Sequence, residues 1–297
     1  MYQENITALK KDAPIGVFDS GIGGLSGSRE SMRQIPNEKI IYFGDTARMP
    51  YGSKSKETVT GFSKQIVRFL ETFQVKTIVV ACNTASAYAL DELEKELDIP
   101  IIECADYMET SALGRAEWMR FYGLLFGVAP QADNLFAEVD SCYQRLKMRA
   151  QLSSTSFSVV SELKSGSAWY VPGGRSTIGR LFQDACGRYA FADDTHSGSV
   201  PLAFETVFDK AGDADVWLVK YNRDRDMSYA DLEADYIGYT GFKAFKTRNV
   251  YGCNTAKVPF YEETPFRPDY LLSDLIQILH PEIGDLGGLR YFCRLKE

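Results

Sequence analysis

Cys82, Asn83 and Thr84 follow directly on the apolar, β-branched run Thr77-Ile78-Val79-Val80-Ala81. A thiol at the carboxyl end of a buried parallel strand faces the crevice where α/β sheets bind ligands, and it can exchange a proton if its surroundings tune the thiolate. Asp19 and Ser20 occupy the same kind of position, at the end of Ile15-Gly16-Val17-Phe18 and before Gly21-Ile22-Gly23-Gly24. That glycine-rich turn lets backbone N–H groups approach an anion, although Asp-Ser-Gly alone is also an ordinary turn sequence. Asp45 ends a third run, Lys39 to Gly44, and Pro50-Tyr51-Gly52-Ser53 forms a loop before a helical stretch from about Ser55 to Phe73. Three strand ends thus bring Asp19, Asp45 and Cys82 toward one crevice.

The elements that must hold these groups alternate along the chain. After Cys82, Leu90, Leu93 and Leu97 recur at helical spacing from Ala85 to Leu97. Asp98-Ile99-Pro100 then stops the helix and Ile101-Ile102 begins another strand. The helix after the first strand is poor, with Gly27, Ser28 and Ser31 where an apolar face is expected. Farther on, Ala132 to Met148 is helical, with Leu135, Phe136, Val139, Tyr143, Leu146 and Lys147 marking one face. Strands follow at Phe157–Val160, Asp215–Val219 and Asn249–Cys253, with a helix around Tyr229–Tyr239 and a closing amphipathic helix over Pro268–Leu279. The pattern gives an α/β fold: two lobes with parallel doubly wound sheets joined by a long helix. Between Ser165 and Arg175 the spacing suggests a loop. Trp169, Tyr170 and Arg175 then either form one wall of a ligand cleft or, for the two aromatic residues, fold back onto the core.

Composition narrows the functional classes. With 297 residues, 45% hydrophobic content and a formal charge of −7, the chain can bury a large core but lacks the clustered basic residues that nucleic acid or an anionic membrane requires. No run approaches the roughly 18 apolar residues of a membrane span. Met1-Tyr2-Gln3-Glu4-Asn5 lacks a signal-peptide pattern, so a cytoplasmic location is expected. Six dispersed cysteines without a C-x-x-C pair predict reduced thiols, with no metal site and no cofactor. His196 reads as a loop residue, and His280 as a helix C-terminal residue favourable to the dipole.

VFDSGIGGLS, YFGDTARMPYGSKS and VVACNTASA, in that order within Ile15 to Ile102, closely resemble the amino-terminal half of glutamate racemase. The resemblance implies that Cys82 is one of two catalytic thiols and that Asp19 assists it. It implies further that Ser20, Pro50, Tyr51, Gly52, Ser53, Asn83 and Thr84 bind the amino acid's carboxylate and ammonium. From Glu103 onward, ADYMETSALGRAEWMRFYGLLFG, SAWYVPGGRSTIGRLFQDACGRYAFADD and RNVYGCNTAKVPFYEE resemble the hinge helix and carboxyl-terminal lobe of periplasmic substrate-binding proteins of ABC transporters for iron-siderophore, haem or corrinoid ligands. The implied ligand is a small molecule, either an amino acid or a metal chelate or corrinoid. Glu205 in LAFETVFD resembles the acid by which that lobe docks on a permease, but its amino-terminal counterpart is missing, so transporter docking is not expected.

The expected organisation is a racemase-like lobe over residues 1–102, linking helices over 103–150 and a binding-protein lobe over 151–297. Such a splice reads as an engineered or recombined chimera. A ligand would sit between lobes if anywhere, and racemisation would be incomplete because the second-half Gly-Cys-Thr-His motif is absent. The nearest echo, Gly252-Cys253-Asn254-Thr255, reads as a packed strand-end thiol.

Overall fold

The computed structural model describes residues 12–20, 39–49, 51–52, 54–104, 106–125, 127–284 and 286–296. The chain divides into two compact units, Met1–Met108 with Leu124–Val128, and Glu109–Gly123 with Ala129–Glu297. The poor helix expected around Gly27 to Ser31, Pro50 and Ser53 lie outside the described residues.

In the first unit, β1 (Ile15–Asp19), β2 (Ile40–Gly44), α1 (Lys56–Glu71), β3 (Thr77–Val80), α2 (Asn83–Glu96) and β4 (Ile101–Glu103) follow one another. The four strands form an all-parallel sheet in the order β2-β1-β3-β4. Every residue of β3 is buried, as its unbroken β-branched sequence requires. Phe18, Ile78 and Val80 pack on one face against Val59, Ile66 and Leu70 of α1 and Ala85, Ala89 and Leu93 of α2. Ile15, Val17 and Val79 face the other way, where Ile102 and Cys104 join them. Chain order reverses between β1 and β3, which makes their carboxyl ends the natural crevice.

The second unit holds all but the last two residues of α3 (Ala112–Leu125) and then α4 (Ala129–Gln151), the latter longer than its apolar face predicted. Then come β5 (Ser158–Ser161), β6 (Lys164–Ser165), β7 (Ala168–Pro172), α5 (Thr177–Asp184), β8 (Arg188–Tyr189), β9 (Ser199–Leu202), α6 (Phe204–Ala211), β10 (Val216–Tyr221), α7 (Tyr229–Asp235), β11 (Val250–Asn254), α8 (Pro268–Leu279) and β12 (Cys293–Arg294). The main sheet, β12-β11-β10-β5-β8, is parallel except for its β12 edge. Helix α4 packs along α8. The helix expected over Tyr229–Tyr239 breaks after Asp235 and resumes as a tighter turn at Ile237–Gly241.

The largest correction concerns Ser165 to Arg175. This stretch is not an exposed loop: β7 lies between β6 and β9 in a small antiparallel sheet. Period-two alternation turns Trp169 and Val171 inward and leaves Tyr170 48% exposed. Trp169 is fully buried, donates its indole N–H to the Ser161 carbonyl (2.9 Å), and stands 5.7 Å from Trp217 and 5.5 Å from Phe242 between ring centroids. His280 caps the C-terminus of α8, where the sequence placed it, with its N–H bonded to the Ile276 carbonyl. Its ring is completely buried, with Nδ1 2.5 Å from the Thr155 carbonyl and Nε2 2.6 Å from the Ala185 carbonyl. Beyond its place at the helix end, it therefore connects two distant segments through the core.

Asp215 ties the start of β10 to its neighbours. Its carboxylate accepts from the Ser158 N–H (2.8 Å) and hydroxyl (2.7 Å), and it pairs with Lys243 (2.6 Å) and Arg188 (3.0 Å). Burial works against the charge, but Lys243 and the Ser158 donors outweigh it and hold the carboxyl well below the usual carboxylate range. Because the folded pKa lies under the unfolded value of about 3.9, the stabilisation is complete above that pH and is lost as pH falls through the folded value. Asp215→Asn is expected to lower the melting temperature at pH 7 and to flatten the acid limb of a melting series from pH 3 to 7. An acid limb as steep as the parent's would contradict this assignment.

Candidate functional site

Two clusters could do chemistry, one in each unit. In the first, Cys82 is the N-cap residue of α2, and its Sγ accepts the Ala85 N–H at 3.5 Å. A cap normally supplied by a serine or aspartate oxygen is here a thiol, turned toward the helix N-terminus and its free backbone donors. The thiol donates to Ser20 Oγ at 3.1 Å, a contact that spans the gap between the ends of β1 and β3. Ser20 Oγ in turn lies 3.4 Å from Asp19 Oδ1, and the Ser20 N–H reaches the same oxygen at 2.7 Å. The Tyr42 hydroxyl approaches Asp19 Oδ2 at 3.4 Å. Thiol, hydroxyl and buried carboxylate thus form a short chain of contacts running from Cys82 through Ser20 to Asp19.

Asp45 belongs to a neighbouring knot. Arg48 Nε approaches its Oδ1 at 2.9 Å, and the Tyr51 hydroxyl donates to Oδ2. Tyr51 is 1% exposed and its ring packs 5.8 Å from Phe62. Burial and then the Asp45 carboxylate push its hydroxyl far above the ordinary tyrosine value, so it remains a donor. The Tyr51 side chain is therefore a core group that holds Asp45, not the ligand contact expected from sequence. Gly52 lies exposed in the turn, and Asn83 and Thr84 open α2; the Asn83 side chain is outside the described set.

The second cluster surrounds a cleft of about 620 Å³ within the second unit. Helix α4 contributes Tyr143 and Lys147, α5 contributes Arg180, Gln183 and Asp184, the β7–α5 turn contributes Arg175, and the Ala192–Thr195 loop closes one side. Spacings of i, i+3 and i+4 put the α5 groups on one face while Leu181 and Phe182 turn into the core. Asp184 staples the two helices: it accepts from the Tyr143 hydroxyl at 2.7 Å and pairs with Lys147 at 2.6 Å. Ser176 caps α5 by accepting the Gly179 N–H at 3.1 Å. The turn fits only because residue 174 has no side chain, since a Cβ there would stand 2.2 Å from the Ala192 carbonyl oxygen. That approach, with the Arg175 N–H bonded to the His196 carbonyl at 3.2 Å, sets Arg175 at the cleft.

Of the three cleft residues named from sequence, only Arg175 lines this space; Trp169 is core and Tyr170 lies on the outward side of β7. Sequence reasoning missed Lys147 as a cleft group, Arg180, Asp184 and Asp193. The polar face of α5 was the available signal. It also missed the Glu162–Lys220 pair (2.8 Å), which crosses from the end of β5 to β10. There Glu162 adopts φ +70°. Burial opposes the charge on Lys220, but Glu162 outweighs it and raises the lysine pKa. The signal was a lysine inside the apolar strand VWLVKY.

Cys253 lies on β11 with no exposure, and burial pushes its thiol up to about 12 despite nearby Lys220. No group of three histidine, cysteine or acidic side chains is placed to hold a metal among the described residues, and no described helix is long and apolar enough to cross a membrane.

Comparison with known proteins divides the chain in two. The family model for periplasmic binding proteins matches residues 78–256. Glutamate racemase of Oceanobacillus iheyensis is 56% identical over 91 residues, 31% of this chain and 33% of that protein. The Lactococcus lactis subsp. cremoris enzyme is 55% identical over 89 residues, covering 30% and 33%. The chain therefore spans about a third of the length of the curated relatives it matches. Among solved structures, a possible iron-binding, periplasmic solute-binding protein of Staphylococcus epidermidis superposes with a TM-score of 0.59 at 13% identity, covering 90% of this chain and 99% of that one. An ABC-type Fe3+-hydroxamate transport protein of Saccharomonospora viridis gives 0.60 at 14% identity, with 90% and 93% covered. The sequence of the first part is racemase-like, while the fold of nearly the whole chain is that of a solute-binding protein.

Proposed function

Because the chain belongs to the periplasmic binding protein family, we propose that it is a solute binder of recombined or engineered origin, in which capture of a small molecule rather than catalysis is the working activity. The observation that supports this most is the cleft of about 620 Å³ in the second unit, in the range of small-molecule sites and lined by ionic recognition groups with neither cysteine nor histidine among them. The first unit supports the same reading from the opposite side. Inversion of an α-carbon by proton transfer needs acid–base groups on both its faces. Cys82 offers one, Cys104 packs with Ile15 and Val17 on the opposite face of the sheet from the core that holds Cys82, and Cys253 is a buried thiol of the second unit.

A second reading, amino-acid racemisation through Cys82, draws on the relay from Cys82 through Ser20 to Asp19. It calls for a second acid–base group on the other face of the bound amino acid.

Thermal melting in the presence of glutamate, haem or cobalamin tests the binding reading. A ligand at about 100 times its dissociation constant adds about 2.7 kcal/mol to the folded state. At least one of the three is expected to raise the melting temperature by several degrees in a concentration-dependent way. Unchanged melting with all three would overturn the proposal.

A further inference from the structure

The ionic groups of the second-unit cleft do not cancel one another in space. Lys147 and Asp184 form a tight pair, and the Asp184 carboxylate is also held by Tyr143. Asp194 is occupied by the N–H and ring nitrogen of His196, at 2.9 and 3.0 Å, which hold its carboxyl below the usual carboxylate range. What remains is two guanidiniums, Arg175 and Arg180, and one carboxylate, Asp193, none of whose side chains has an ion-pair or hydrogen-bond partner among the described residues.

We infer that this cleft takes a dicarboxylic α-amino acid, with Arg175 and Arg180 each engaging one carboxylate and Asp193 engaging the ammonium. The inference rests on the reading of the chain as a solute binder and names the ligand class for it. Two guanidinium forks match two planar carboxylates, which arginine binds through paired N–H donors. A purely anionic ligand would leave the Asp193 carboxylate facing like charge, and a purely cationic one would meet two arginines, so charge complementarity selects a ligand carrying both signs. A monocarboxylic amino acid would leave one guanidinium without an ionic partner. The cleft is larger than such a ligand, which leaves room for bridging waters to Gln183 and Thr195. Arg175 and Asp193 are exposed and Arg180 is half-buried where it lines the cleft, so their polar replacement is expected to leave the fold intact.

Isothermal titration of the full chain with L-glutamate, D-glutamate, glutarate and 4-aminobutyrate tests the assignment. Glutamate is expected to bind one per chain in at least one enantiomer, and glutarate and 4-aminobutyrate about tenfold or more weakly. Arg175→Gln and Arg180→Gln are each expected to weaken glutamate binding about ten- to hundredfold with melting temperatures unchanged. Asp193→Asn should weaken glutamate yet leave glutarate as tight as before or tighter, a reversal that simple loss of packing would not produce. Glutamate binding that survives the double replacement of Arg175 and Arg180 would locate the ligand elsewhere and overturn the inference. If haem or cobalamin binds while no glutamate does, the ligand class is wrong but the solute-binder reading stands. If nothing binds, both fall.

Discussion

Incubated in deuterated water with L-glutamate at concentrations high enough for weak encounter with the Cys82 crevice in addition to the second-unit cleft, the protein is expected to leave the circular dichroism of the amino acid unchanged while mass spectrometry records slow α-deuteration that Cys82→Ser removes. A lone thiol can withdraw the α-proton and return a solvent deuteron only from the side it left, so exchange proceeds with retention of configuration. The Ser20 hydroxyl, 3.1 Å from Sγ, and Asp19 behind it supply the relay through which the thiol refills from solvent. If Cys82 works alone, inversion is expected to run about 10²–10⁴-fold below the rate of a site with acid–base groups on both faces. Rapid loss of optical activity would overturn this. If Cys253→Ser then stopped that loss, Cys253 would have to be read as the second base, against its burial and its raised pKa.

The largest effect on stability is expected at Trp169. Replacement by alanine removes a fully buried indole from a cluster that includes Trp217, Tyr239 and Phe242, and it leaves the Ser161 carbonyl without its donor. Truncation of a large aromatic residue in a packed core costs about 3–5 kcal/mol. The chain's three tryptophans, Trp118, Trp169 and Trp217, all belong to the second unit. Indole emission during urea denaturation therefore follows that unit alone, while far-ultraviolet circular dichroism follows both, which matters in a chain whose units need not unfold together. The midpoint of the emission transition should fall sharply in Trp169→Ala. A loss below about 1 kcal/mol would place the ring at a surface and return it to the ligand wall that its sequence context suggested.

The alternation of strands and helices was legible because its signals are local. Unbroken β-branched runs such as TIVV, and the leucine spacing of α2, report burial directly. The position of Cys82 at a strand end followed from the same reasoning. Its bond to Ser20 did not, since contact between residues 62 apart depends on which strands become neighbours. The Trp169 strand was missed for a related reason. Ser165, Gly166, Pro172 and Gly173 punctuate it heavily, and its burial depends on β9 pairing with it from about 30 residues downstream. The cleft charges were hidden by ordinariness. Arg180 and Asp193 look like any solvated residues until Asp184 and Asp194 are seen to be occupied, which leaves the other groups unpaired. His280 shows the same limit, because nothing beside it in sequence reveals that two distant carbonyls meet its ring.

The close approach at Gly174 has a consequence for how this protein can change. A Cβ at residue 173 would stand 2.3 Å from the His196 carbonyl oxygen, and one at residue 179 would stand 2.3 Å from that of Gly173, so three neighbouring positions are closed to every side chain. Arg175, one residue beyond this rigid hinge, is open to almost any replacement. If the cleft holds the ligand inferred above, shape and selectivity are written in separate positions, and a lineage or a designer could exchange the ligand by drifting at 175, 180 and 193 without renegotiating the fold that presents it.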